Sequence, residues 1–264
     1  MIAPVQRILR RAVSPSIFSL NGTGARTILA KYEWRKGVEL VASPGELVSK
    51  VSDLLGISES TIVQHDRNLV VAGLRSKSGR GTSAAQMTPR DAAHLLVAVL
   101  GSHHIKDSAQ TVRRYSETRL HKTQSEGYAD SSVAALMNLQ PGHSFVDALE
   151  ALISAAAEGS LQGAIYEALP EFEGKKIGFP PTIEITVRTP QLIGDLSISG
   201  IRIFGHGLYC LPEPHDQHQS SHPPAEEVEL FERKIEEYRI DTDLTQYRQI
   251  TAKTICGVGE LLGI

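Results

Sequence analysis

The sequence predicts an α+β fold, with helices gathered toward the front and a small antiparallel sheet with a closing helix behind them. Three observations carry this. Helix-start residues followed by glycine stops recur early, at Ser43 with Gly56 and Ser58 with Gly73, and a further start stands at Thr88. After Pro170 the character changes: Ile183, Ile185 and Val187 alternate with polar residues, as in a half-buried strand. Residues 251–262 then return to helical patterning. The expected organisation is a basic flexible arm over 1–42, a helical unit with a hairpin over 43–101, a helical region over 102–170, and an α+β C-terminal domain over 171–264.

Composition bounds the function. With 264 residues and 41% hydrophobic side chains the chain can bury a substantial core. The longest apolar run, residues 92–100, is too short to span a bilayer, so no membrane association is expected. Cys210 and Cys256 have neither metal-ligand nor disulfide spacing, which suits a reducing, cytoplasmic setting. The net charge is −3, but charge is unevenly spread. Residues 1–32 hold Arg7, Arg10, Arg11, Arg26 and Lys31 without an acid, and residues 67–90 hold Arg67, Arg75, Lys77, Arg80 and Arg90 without one. Residues 213–241 are acidic. A basic front suits an anionic partner, and equally a solvated surface.

The elements follow in order. Residues 1–42 are punctuated by Pro, Ser and Gly, and read as a tail; their acid-free start also has the composition of a transit peptide. Ser43-Pro44-Gly45-Glu46 is a capping box with proline at the first helical position, and Leu47, Val48, Val51, Leu54 and Leu55 follow at helical spacing. Gly56 ends that helix and Ser58 caps a second over 58–72, so two helices joined by a short turn must pack steeply. Residues 74–87 read as a hairpin around Ser78-Gly79-Arg80-Gly81. Thr88-Pro89-Arg90-Asp91 starts a helix to about Leu100 that is apolar on nearly every face, and so is buried in the core or in a dimer contact. Further helices are expected over 107–120 and 144–158, with a loop between. Strands are expected over 182–188, 196–204 and 207–211, with a turn around Gly194-Asp195 and a polar loop over 212–224. Residues 226–238 fit either a charged helix or an exposed strand.

Leu54-Leu55-Gly56-Ile57-Ser58, Thr61-Ile62, Leu69 with Ala72-Gly73-Leu74, and Gly79-Arg80-Gly81 before Met87-Thr88-Pro89 resemble the winged helix–turn–helix families of bacterial regulators. The stretch to Ala93 is also similar to uncharacterised alphaproteobacterial and prophage-type proteins. The resemblance implies sequence-specific binding to double-stranded DNA, as a homodimer, in regulation of transcription. The helix over 58–72 would then read the major groove through Ser60, Thr61, Gln64, Arg67 and Asn68, residue types suited to base edges. The wing over 74–87 would hold phosphates through Arg75, Lys77 and Arg80. Residues 92–100 and the C-terminal part would supply dimer or partner contacts. Asp66 departs from the pattern, because an apolar residue is expected there. Either the helix is rotated or Asp66 pairs with a neighbouring base. The alternatives are a phage-type packaging, replication or assembly protein using the same unit, and a protein-interaction module.

Other chemistry is sparse. His215, Asp216, His218 and His222 have metal-ligand chemistry, but in a Pro- and Ser-rich loop they read as a polar segment, and no metal is expected. His103 and His104, at a helix end, read as C-terminal caps. Gly205-His206-Gly207 precedes Tyr209 and Cys210; on a strand His206 and Cys210 share a face, and a buried structural cysteine is the preferred reading. No P-loop, nucleophile elbow, HExxH or dinucleotide glycine pattern occurs, so neither an enzyme nor a cofactor is expected.

Overall fold

A computed structural model describes residues 42–76, 86–121, 133–172, 174–176, 178–200, 204–212, 224–238 and 245–263. The arm, the tip of the hairpin with Lys77 and Arg80, and the loop with His215, His218 and His222 lie outside the described residues.

The three capping signals form as their chemistry requires. Helix α1 (Pro44–Leu55) starts on a reciprocal Ser43–Glu46 box and stops at Gly56, whose φ of 67° is the left-handed conformation that glycine takes without strain. Helix α2 (Glu59–Val71) is capped by the Ser58 hydroxyl. Helix α3 (Pro89–Gly101) starts on a Thr88–Asp91 box, and every residue from Asp91 to Gly101 is buried. That burial is within one chain: α2 packs on one side of α3, and α4 (Ser108–Glu117), α6 (Phe145–Ala157) and the sheet pack on the others. Helix α3 therefore fills the core and offers no dimer surface, which corrects the expectation for residues 92–100.

A 3-10 turn, Ile105–Asp107, leads into α4. The chain then enters strand β1 (Arg119–Leu120), so the helix expected to reach residue 120 ends earlier. A short helix α5 (Ala134–Met137) lies in the expected loop, and α7 (Ser160–Glu167) with a small hairpin, β2 (Glu171–Phe172) and β3 (Lys175–Lys176), follows α6.

The main sheet is antiparallel, in the order β1-β6-β5-β4-β7, built from β4 (Thr182–Thr189), β5 (Ile193–Ser199), β6 (Phe204–Cys210) and β7 (Gln246–Thr251) with β1 at one edge. The connection between β4 and β5 lies at Thr189–Leu192, with a cis Thr189–Pro190 bond and Leu192 at a φ of 52°, rather than at Gly194-Asp195. Gly194 is instead a strand residue that leaves room for Phe145: a Cβ there would stand 2.5 Å from the ring. The sheet buries Ile183, Ile185, Val187, Leu196, Ile198 and Tyr209 against the helices. His206 and Cys210 share the opposite face, as the strand period requires.

Residues 225–238 are helical (α8, Ala225–Tyr238), which decides between the two readings of that charged segment. Helix α9 (Ala252–Leu262) packs on α1 and α6, and Gly259 lets its backbone approach Ala156 closely. The described residues fall within one compact unit. Among the described residues no helix is long and apolar enough to cross a membrane.

Candidate functional site

Helix α2 has two contrasting faces. Ile62 and Leu69 are fully buried, in the same core as Leu47, Val48 and Val51 of α1. Turned away from them, Ser60, Gln64, Arg67 and Val71 are exposed at positions three or four apart, and so form one continuous row. Three of the residues expected to read bases thus stand together on the surface.

Polar contacts, as well as apolar packing, fix the rotation of α2 about its axis. Asp66 and Arg75 form a buried ion pair: Nη2 donates to Oδ2 over 3.0 Å and Nε lies 2.6 Å from Oδ1. Arg75 Nη1 also donates to the Ser76 carbonyl at 2.7 Å. The departure at Asp66 is therefore resolved by pairing with a neighbouring base. The same contact removes Arg75 from the surface, so it does not face a phosphate. Asn68 is also withdrawn, because its side-chain amide donates to the Ile105 carbonyl at 2.7 Å. Thr61 is half-buried, and its hydroxyl lies 2.7 Å from that of Ser58.

His65 completes the inner face. The Ser108 hydroxyl donates to the Ile105 carbonyl, so the His65 Nδ1–H donates to Ser108 Oγ over 2.8 Å. Burial pushes the imidazole pKa down to about 4, and the positive charge of Arg248 adds to the effect. Arg248 stands there because its Nη1 donates to the Val99 and Ser102 carbonyls at 2.7 and 3.3 Å, satisfying the C-terminal end of α3. His94 of α3 donates through Nδ1 to the Leu74 carbonyl at 2.5 Å and is likewise kept neutral, mainly by burial.

Two cations not singled out by sequence spacing belong to the elements that pack on the Asn68 and Ala72 side of α2. Arg113 of α4 reaches the C-terminal end of α2, donating to the Ala72 carbonyl at 3.4 Å. Lys106, exposed, follows the residue whose carbonyl holds Asn68. Only packing of the 3-10 turn and α4 against α2 brings them there, and no local pattern reports such a contact.

Of the remaining candidates, Cys210 is half-buried rather than buried, and the loop with His215, His218 and His222 lies outside the described residues. Among the described residues no cluster has a metal-ligand arrangement. His103 and His104 pack edge to face on each other, and α3 ends instead on the Ser102 amide, which donates to Ala98. His206 lies 3.3 Å from Asp195 on the open face of the sheet. Comparison with known protein families, curated proteins and solved structures found no match to this chain, and the site rests on its geometry.

Proposed function

We propose that the chain binds double-stranded DNA through α2, as a regulator of transcription. The observation that carries this reading is the exposed row of Ser60, Gln64 and Arg67 on a helix locked from behind and set across a short turn from α1. An arginine forks onto guanine, a glutamine onto adenine, and a serine serves either base or phosphate. A helix held on its inner face by His65, Asp66 and Asn68 loses little freedom on docking, which favours affinity. The Asp66–Arg75 pair supports the reading in a second way, since it keeps a carboxylate away from the DNA phosphates.

Lys106 and Arg113 would contact phosphates beside the row, with Lys77 and Arg80 contributing from the 74–87 segment. Glu59, at the start of α2, works against phosphate and sets a limit on how closely that end approaches. A homodimer would present two copies of α2 to half-sites about 34 Å apart.

The test is fluorescence anisotropy against genomic fragments across a salt series, with Gln64→Ala, Arg67→Ala as the control. The expected result is selective binding by the natural chain, with log K falling by about 0.9 per log salt for each phosphate neutralised. Equal weak binding by both proteins at low salt, with none at physiological salt, overturns it.

A protein partner is the second reading, and Val71 favours it. At 88% exposure it extends the row as an apolar side chain open to solvent. A protein docked there would bury Val71, and Val71→Ser would weaken it with little dependence on salt.

A further inference from the structure

On the α4 side of the molecule lies a cavity of about 190 Å³, lined by Asp107, Gln110 and Arg114 from α4 and its start, by Pro190 and Leu192 from the β4–β5 connection, and by Tyr238 from α8. Its floor is fixed. Tyr115 donates to the Arg188 carbonyl at 2.9 Å, tying α4 to β4, and Gly101 allows α3 to meet α4 where a Cβ would stand 2.8 Å from Thr111. Its outer wall is fixed too, because Lys234 and Tyr238 of α8 donate to the two oxygens of Glu117 at 2.7 and 2.8 Å.

That clamp has an electrostatic consequence. Glu117 stands three residues after Arg114, where a carboxylate ordinarily pairs with an arginine on the same helix face. Lys234 and Tyr238 already occupy it. Arg114 is left half-buried, 4.8 Å over the Tyr238 ring, with one long hydrogen bond from Nη2 to the Glu237 carbonyl at 3.4 Å. Its Nε is buried and has no acceptor, and among the described residues the guanidinium has no acidic partner. At the other end, Asp107 precedes α4 without capping an amide through its side chain, and it too makes no ion pair among the described residues. Among the described residues a cation and an anion therefore line one cavity, each without a counter-charge and out of reach of one another. They are seven residues apart, on one face of the helix and about 10 Å along its axis.

We propose that this cavity binds a small dipolar organic acid, with its carboxylate on Arg114 and an ammonium on Asp107. The aliphatic middle would lie along Pro190 and Leu192. A cavity of about 150 Å³ holds a benzene molecule, so this one accommodates about eight non-hydrogen atoms. An arginine fork matches a carboxylate bidentately, and its stacking on Tyr238 pre-orients it. The site does not depend on which partner α2 meets.

The experiment titrates the full chain with δ-aminovalerate and follows backbone amide shifts by NMR. The expected result is saturable change centred on Gly101, Gln110, Thr111 and Arg114. Valerate, which lacks the amine, and pentylamine, which lacks the acid, should each bind at least tenfold more weakly. Arg114→Gln should erase the preference over pentylamine and keep the preference over valerate, and Asp107→Asn should do the converse. The comparison of the three compounds on the natural chain needs no variant, so a variant that fails to fold leaves the proposal open to refutation. Absence of saturable change with δ-aminovalerate overturns it, as does equal binding of all three compounds or change centred elsewhere.

Discussion

The carboxylate of Asp66 and the guanidinium of Arg75 meet beneath α2 with side-chain exposures of 11% and 7%, across the turn that ends the helix. This contact fixes which way α2 faces, and it turns a charge that would oppose a nucleic acid into part of the core.

The pair has an asymmetric energetic signature. Arg75→Met alone leaves Asp66 buried without its partner, and should cost about 3–5 kcal/mol in urea denaturation. The double replacement Asp66→Leu, Arg75→Met removes both charges and should cost much less. Equal losses in the single and double variants would show that packing, rather than the unpaired carboxylate, sets the cost.

The exposed row behaves in the opposite way. Gln64→Ala and Arg67→Ala should each change stability by no more than about 0.5 kcal/mol, since neither side chain is buried. Under the proposed function each should weaken discrimination at its own base by about 1–3 kcal/mol. Arg67→Ala should also relax sequence preference at one position, measurable by binding to a set of single-base substitutions.

Stability should fall in acid through His65. Its pKa is near 6.5 in the unfolded chain and about 4 in the folded one, so between these values the unfolded state alone takes up the proton. The contribution is whole above about pH 6.5 and is lost as pH falls toward 4, on the order of 3 kcal/mol in all. His94, also lowered by burial, acts in the same direction. Urea midpoints measured from pH 7 to pH 4 should drop, and His65→Gln should shallow that drop. An unchanged slope in the variant would assign the acid sensitivity elsewhere.

Gly259 and Gly194 are required by their neighbours. A Cβ on Gly259 would stand 2.5 Å from Ala156 Cβ and 2.7 Å from its backbone carbon, which cannot move without displacing α6. Gly259→Ala should cost about 1–3 kcal/mol by forcing the two helices apart. Thermal melting with Gly163→Ala as the control, where open space surrounds the added carbon, separates this from a general effect of replacing a helical glycine.

Much of this fold is local and hence legible. The Ser43, Ser58 and Thr88 caps, the stop at Gly56 and the alternation from Ile183 to Val187 each act within a few residues. What sequence spacing missed is set by contacts across the chain. Gly194 has the look of a turn residue, but its role is to admit the Phe145 ring. Arg75 reads as a surface base until Asp66 is placed beside it. Asn68 suits adenine by type, yet a carbonyl 37 residues away takes its amide. Strand β7 and the cavity around Arg114 likewise exist only once distant segments meet.

The contact of α9 with α1, through Gly257 against Leu54, bears on how the protein is made. Ribosomes add about 5–20 residues each second, so residues 44–55 wait on the order of ten seconds or more for residues 252–262 to emerge. During that interval the part of the first helix that α9 covers stays open, although α2 already packs beside it. Such wide sequence separation also slows the search for the native state. The helix pair that faces outward is thus completed by a segment synthesised long after it, and a chain interrupted before that point carries an open, adhesive seam.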